Sequence, residues 1–278
     1  MKNMDVLSVL EERGYSAEIT GKVSNGVEME GIIISDGKMG DEGIYPVIYT
    51  SDLIAEAEMY GKSAEYVADQ VIEILNENQR PDFNIDLLKN KRWLLAHMYI
   101  GIQKESAEDI IRENCEKMPG LEKYLYIKDV IGEDVYTLKI TDWLLSRSDI
   151  EYKEAWKRAE RNTFNETRII SMGHVMAELL HMEYSPAMEC GLKMYVVSNE
   201  MRSKGASAIL DEEALFRFTR IMGVRRVIVI PSSIHEMLIV PVEEGISVDD
   251  ITPIVREINE TMVIPEETHG QEGPRLCR

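Results

Sequence analysis

The sequence predicts an α+β protein: a small N-terminal unit of helix, hairpin and helices, then a larger domain with a mainly antiparallel sheet and helices on one face. Three observations carry this expectation. Apolar stretches meet in pairs across turn dipeptides such as Asn25-Gly26 and Gly132-Glu133, which marks hairpins. Helical stretches stand between runs of adjacent strands, without the strict βαβ alternation of a parallel sheet. Neither a GxGxxG nor a GxxxxGKS pattern occurs, so dinucleotide and P-loop folds lack support.

Residues 4–13 place apolar side chains at 4, 6, 7, 9 and 10, the spacing of a short amphipathic helix that stops at Gly14. SAEITGKVS and VEMEGIIIS are the two strands about Asn25-Gly26. DGKMGDEG is a loop, and IYPVIYT is a further strand that Pro46 confines to an edge. Ser51-Asp52 offers a cap for the helix LIAEAEMY, and Ser63 one for AEYVADQVIEILNEN. The polar segment from Asn76 to Pro81 closes the first unit. The expected division is 1–80, 81–270, and a flexible tail over 271–278.

In the second part, residues 84–90 read as a turn or two of helix and RWLLAHMYIGIQ as a buried strand. SAEDIIRENCEKMPG, between Ser106 and Pro119-Gly120, reads as a helix. YLYIKDVI and DVYTLKI form a hairpin, Thr141 or Asp142 caps WLLSR, and DIEYKEAWKRAERNTF is a longer helix with Trp156 on its apolar face. Residues 167–182 are expected as helix. KMYVVSN and the shorter GASAIL are expected as strands, and EEALFRFTRIM as a helix between Asp211 and Gly223. RRVIVIP and EMLIVP are strands joined through Ser232-Ser233. VDDITPIVREINETM is a last helix, with Asp249 and Asp250 at its positive end.

Composition narrows the function classes. The formal charge is −19, from 50 acidic and 31 basic residues, which repels phosphate backbones and anionic membranes. No apolar run approaches the roughly 20 residues that span a bilayer. The N-terminal apolar stretch is too interrupted for a signal peptide. Three scattered cysteines suit reduced thiols in a cytoplasm.

GKVSNGVEMEGIIIS with IYPVIY, then YVVSNEMRSKGASAIL, VIVIPSSIHEMLIVP and REINETMVIPEE, resemble a bacterial family catalogued as domain of unknown function fifty-six eighty-eight. The resemblance covers nearly the whole chain. Its most specific residues are Asn199, Gly205-Ala206, Pro231-Ser232-Ser233, His235-Glu236 and Asn259. The chain departs from the pattern at its end, where HGQEGPRLCR replaces a short segment closing on a tyrosine. The resemblance implies an origin among anaerobic gut bacteria and some of their mobile elements. It implies no activity, cofactor or catalytic residue.

Three constellations are candidates for chemistry. Ser232, Ser233, His235 and Glu236 bring hydroxyls, an imidazole and a carboxylate within five residues, the groups of a serine hydrolase. Strand alternation, however, puts Ser233 and His235 on one face and Glu236 on the other, and no GxSxG elbow is present. The plainer reading is that these residues turn the chain between two strands. His174, Glu178 and His181 share one face of a continuous helix and carry Zn or Fe donor types, with His235 or Glu183 as a fourth ligand. The alternative is a polar stripe. Asn199, Arg202, Lys204 and Gly205 form a turn that could cradle an anion on backbone N–H groups, against the plainer reading of an exposed connection. The leading expectation is a non-enzymatic binding or regulatory protein with a protein or small-molecule partner. The runner-up is a hydrolase or metal-dependent enzyme centred on Ser232-Ser233-x-His235-Glu236.

Overall fold

The computed structural model describes residues 1–24, 27–35, 47–77, 85–131, 134–189, 193–242 and 275–277. The chain divides into two compact units, Met1–Phe83 and Asn84–Arg278.

The first unit runs α1 (Asn3–Glu12), β1 (Ser16–Ser24), β2 (Val27–Ser35), β3 (Val47–Tyr49), α2 (Ser51–Met59) and α3 (Ala64–Glu77). β1 and β2 pair antiparallel from Ser16↔Ser35 to Ser24↔Val27, and β3 adds to the free edge of β2. The Asn25-Gly26 turn, the DGKMGDEG loop and Pro46 lie outside the described residues. Val6 and Leu10 of α1 meet Ile32 and Ile34 of β2 and Val67 and Val71 of α3 in one core. α2 begins at Ser51, so the cap position is Thr50 rather than Ser51-Asp52. The buried Thr50 hydroxyl is turned away from the helix and donates to Asn3 Oδ1.

The second unit opens with a 3-10 turn (Ile85–Lys89) and α4 (Lys91–His97), followed by β4 (Met98–Lys104), β5 (Arg112–Asn114), β6 (Leu121–Ile131) and β7 (Asp134–Lys139). Then come α5 (Asp142–Arg147), α6 (Tyr152–Asn165), β8 (Arg168–Ser171), α7 (Met172–Leu179) and β9 (Tyr195–Ser198). A 3-10 segment (Gly205–Leu210), α8 (Glu212–Met222), β10 (Val227–Ser233), β11 (Glu236–Pro241) and β12 (Arg275–Cys277) complete it. β4, β6, β5 and β7 form one antiparallel sheet, with β4 on one edge of β6 and β5 and β7 on the other. The second sheet has the order β12-β10-β11-β9-β8, again antiparallel throughout.

Strand alternation divides the side chains of β10 between two cores. Val227 and Val229 pack with the Gly205–Leu210 segment and Phe218 of α8. Ile228 and Ile230 pack with Val175 of α7. A third cluster joins Leu94 of α4 and Ala155 and Ala159 of α6 to Ile100, Leu125 and Ile127 of the first sheet.

Four expectations are corrected. RWLLAHMYIGIQ is not one strand: Asn90 Oδ1 accepts the N–H of Trp93 at 3.1 Å and caps α4, and β4 starts only at Met98. Lys91 to Ala96 are good helix formers, and the β-branched and aromatic residues follow them. SAEDIIRENCEKMPG is not a helix. Ile111 exchanges backbone hydrogen bonds with Ile140 and Leu125, which holds the segment extended, and its β5 pairs with β6. Residues 167–182 split into β8 and α7, because Ser171 pairs with Tyr195 as a strand end and then caps α7. GASAIL is a 3-10 segment, not a strand: its first five residues are buried, and its small side chains let the backbone pack closely. Arg275–Cys277, within the stretch expected as a flexible tail, pair with β10 as an edge strand. The last expected helix, from Ser247 to Met262, lies outside the described residues.

Candidate functional site

The β10–β11 hairpin closes tightly: Ser233 pairs with Glu236, with a bulge between Pro231 and Ser233. Ser233 and His235 are committed to the turn and to a neighbouring loop. Ser233 Oγ accepts the backbone N–H of His235 at 3.1 Å. The His235 imidazole accepts at Nδ1 the backbone N–H of Lys204, at 3.2 Å. The His235 carbonyl accepts from Ser198 Oγ at 2.7 Å, and the Ile234 carbonyl from Ala206 N at 3.3 Å. Ser232 is buried within β10. Burial pushes the Glu236 carboxyl above its ordinary value, against the opposing pull of Arg202 and His235.

The Asn199–Gly205 turn lies directly against this tip, so two of the three predicted constellations come together. Arg202 and Lys204 adopt left-handed backbone, with φ of 49° and 50°. The Asn199 side chain closes the turn, donating to the Ser203 carbonyl at 2.7 Å and accepting the Ser203 N–H at 3.2 Å. Arg202 N donates to the Asn199 carbonyl at 3.2 Å. The N–H groups of Arg202, Ser203, Lys204 and Ala206 therefore all point into the protein. An added Cβ on Gly205 would stand 2.3 Å from Ser198 Oγ and 2.6 Å from Asn199 N, so only glycine allows the two loops this contact. The Arg202 guanidinium pairs with Glu178 of α7.

The His174, Glu178 and His181 set separates. α7 ends at Leu179, and His181 lies beyond it with φ of 51°, so the helical face that would align the three is not continuous. His174 instead stacks on Tyr184, ring centroids 3.6 Å apart, with Nδ1 2.7 Å from Ser171 Oγ. Glu189 accepts from Ser171 Oγ and approaches His174 Nδ1 at 3.9 Å. Among the described residues no three His, Cys, Asp or Glu side chains are grouped to hold a metal ion.

Two polar networks, one around the buried Glu122 and one around the half-buried Glu166, carry no signal in the sequence. Glu122, on β6, accepts from Gln103 at 2.7 Å, Ser106 at 2.8 Å and Arg112 at 2.9 Å. Burial acts to raise its carboxyl, but these three hydrogen bonds outweigh it and hold the group below its ordinary value. Glu166 accepts from Tyr99 Oη at 2.8 Å and pairs with Lys128 at 2.5 Å. Both networks satisfy themselves, which suits a structural role.

A groove of about 1090 Å3 opens within the second unit. It is lined by residues of α6, of the β5 segment, of α8 and of the end of the 3-10 segment. Trp156, Phe164, Ile209, Leu215 and Phe216 supply apolar surface, and Lys117, Lys123, Lys157, Arg220 and Arg225 supply positive charge. Phe216 is 61% exposed, so its ring is available to a ligand. Lys123 Nζ lies 4.7 Å from the Trp156 ring centroid, and the Arg220 guanidinium 5.9 Å from that of Phe216. The sequence placed Trp156 on the apolar face of its helix. Nothing in the sequence told that the face borders a groove rather than a filled core.

A family model described as a family of unknown function (DUF5688) matches residues 6–270. No curated protein and no solved structure matches the chain.

Proposed function

Because the chain belongs to the family of unknown function DUF5688, we propose a role from its own geometry: a non-enzymatic binding or regulatory protein of the bacterial cytoplasm that acts through the α6–α8 groove. The groove is the observation that carries the reading, since it combines apolar surface, exposed aromatic area and charge in one concave site. The hydroxyl, imidazole and amide groups at the β10–β11 tip are engaged in holding two loops together. Burial pushes the Cys115 thiol up to about 11, so it stays protonated and unreactive at neutral pH.

A hydrolase centred on Ser232, Ser233, His235 and Glu236 is the competing reading. The observation in its favour is the raised carboxyl of Glu236 beside His235, since perturbed groups gather at functional sites. Native mass spectrometry of the gently purified full chain separates the two. The binding reading expects a retained species that is lost in Thr219→Trp, which puts a bulky side chain into the groove, and kept in His235→Ala. Turnover of an ester or phosphoester that disappears with His235→Ala, while Thr219→Trp stays active, overturns it.

A further inference from the structure

We infer that the groove takes an amphipathic anion: an apolar body of small-molecule size bearing a carboxylate, sulfonate or phosphate head. The inference rests on the proposed binding role and names its ligand class. A space of about 1090 Å3 admits a small ligand with room for an apolar body against Trp156, Ile209 and Phe216.

The charge argument is local. Across the chain acidic residues outnumber basic ones, 50 to 31. Among the described residues lining the groove the balance reverses, with five Lys or Arg against Glu113, Glu116, Glu160 and Glu212. Two of those carboxylates pair with two of the cations, Glu113 with Lys123 and Glu212 with Lys117, which leaves Lys157, Arg220 and Arg225 against Glu116 and Glu160. Two of the cations lie over rings that line the groove, Lys123 over Trp156 of α6 and Arg220 over Phe216 of α8. A cation lying on an aromatic face has shed part of its water, so an anion that meets Arg220 over Phe216 gains attraction at a reduced desolvation cost. An uncharged apolar ligand would use the rings and make no use of Lys157, Arg220 and Arg225. A cationic ligand would be repelled.

Fluorescence titration of the full chain tests this with two naphthalene probes of similar shape, anionic 1-anilinonaphthalene-8-sulfonate and uncharged N-phenyl-1-naphthylamine. The expected result is saturable binding of the sulfonate, at least about tenfold tighter than the uncharged probe, which corresponds to about 1.4 kcal/mol. Lys157→Glu with Arg220→Glu, both exposed positions, should remove that preference and leave the uncharged probe's affinity unchanged. Thr219→Trp should abolish both, with an unaltered circular dichroism spectrum. Equal affinity for the two probes overturns the anion inference and leaves the groove's binding role standing. Sulfonate binding that survives Thr219→Trp places the probe elsewhere and overturns the inference as well. If neither probe binds, but a protein complex is formed and lost with Thr219→Trp, the ligand is a macromolecule and the small-anion inference fails alone.

Discussion

Single residues decide how the β10–β11 tip is held. Gly205 has no room for a side chain, since its Cβ would meet Ser198 Oγ, the Asn199 amide and the His235 carbonyl. Gly205→Ala must shift backbone, and the expected loss is about 1–3 kcal/mol by urea denaturation. Two glutamates give opposite pH signatures. The folded state raises the Glu236 carboxyl, so folding takes up a proton: its contribution is favourable below the unfolded value and is lost as pH rises through the folded one. Glu236→Gln should therefore gain stability over the wild type at neutral pH, with the gain vanishing under acid conditions in matched urea melts. The folded state lowers the Glu122 carboxyl, so its contribution is present above the unfolded value and is lost as pH falls through the folded one. Glu122 is only 2% exposed and bonded to Arg112, so Glu122→Leu should cost about 3 kcal/mol or more at neutral pH. The cost should shrink in acid.

At the scale of elements, local signals were readable wherever one residue carries the physics. Asp211 and Gly223 delimit α8 as expected: the Asp211 carboxylate accepts the Ala214 N–H at 2.9 Å, and Gly223 takes the left-handed conformation at φ 69°. Asp211→Ala should destabilise the second unit by about 1 kcal/mol, read by thermal unfolding. Signals failed where pairing with a distant strand outweighed local preference. Residues 106–120 carry helix limits in sequence, yet β6 offers a hydrogen-bonding edge that holds Ile111–Asn114 extended. Between Trp93 and Ile102 the apolar run is broken only by His97, so apolar patterning does not mark the helix-to-strand change; the Asn90 cap and the shift in propensity do. The candidate site was legible to the same degree. The residues of the β10–β11 tip were found, but the polar groups they meet lie about 30 positions earlier, in a turn whose contact depends on Gly205.

For the whole molecule, each unit has its own core. Leu10, with no exposed surface, stands in the first beside Ile32 and Val71. Leu10→Ala should cost about 2–5 kcal/mol, seen as lost amide protection across α1, β2 and α3 in hydrogen exchange. Composition alone established the acidic character of the chain, and among the described residues no helix is long and apolar enough to cross a membrane. Apolar periodicity alone established the α+β class and its antiparallel hairpins, because strand and helix periods are properties of consecutive residues. Only tertiary structure decided which surfaces remain open. The groove is lined by residues of α6 and α8, elements far apart in sequence, and the helical face shared by His174 and His181 is broken because α7 stops at Leu179. Both follow from how packed elements end and meet, which depends on long-range contacts that no stretch of sequence contains.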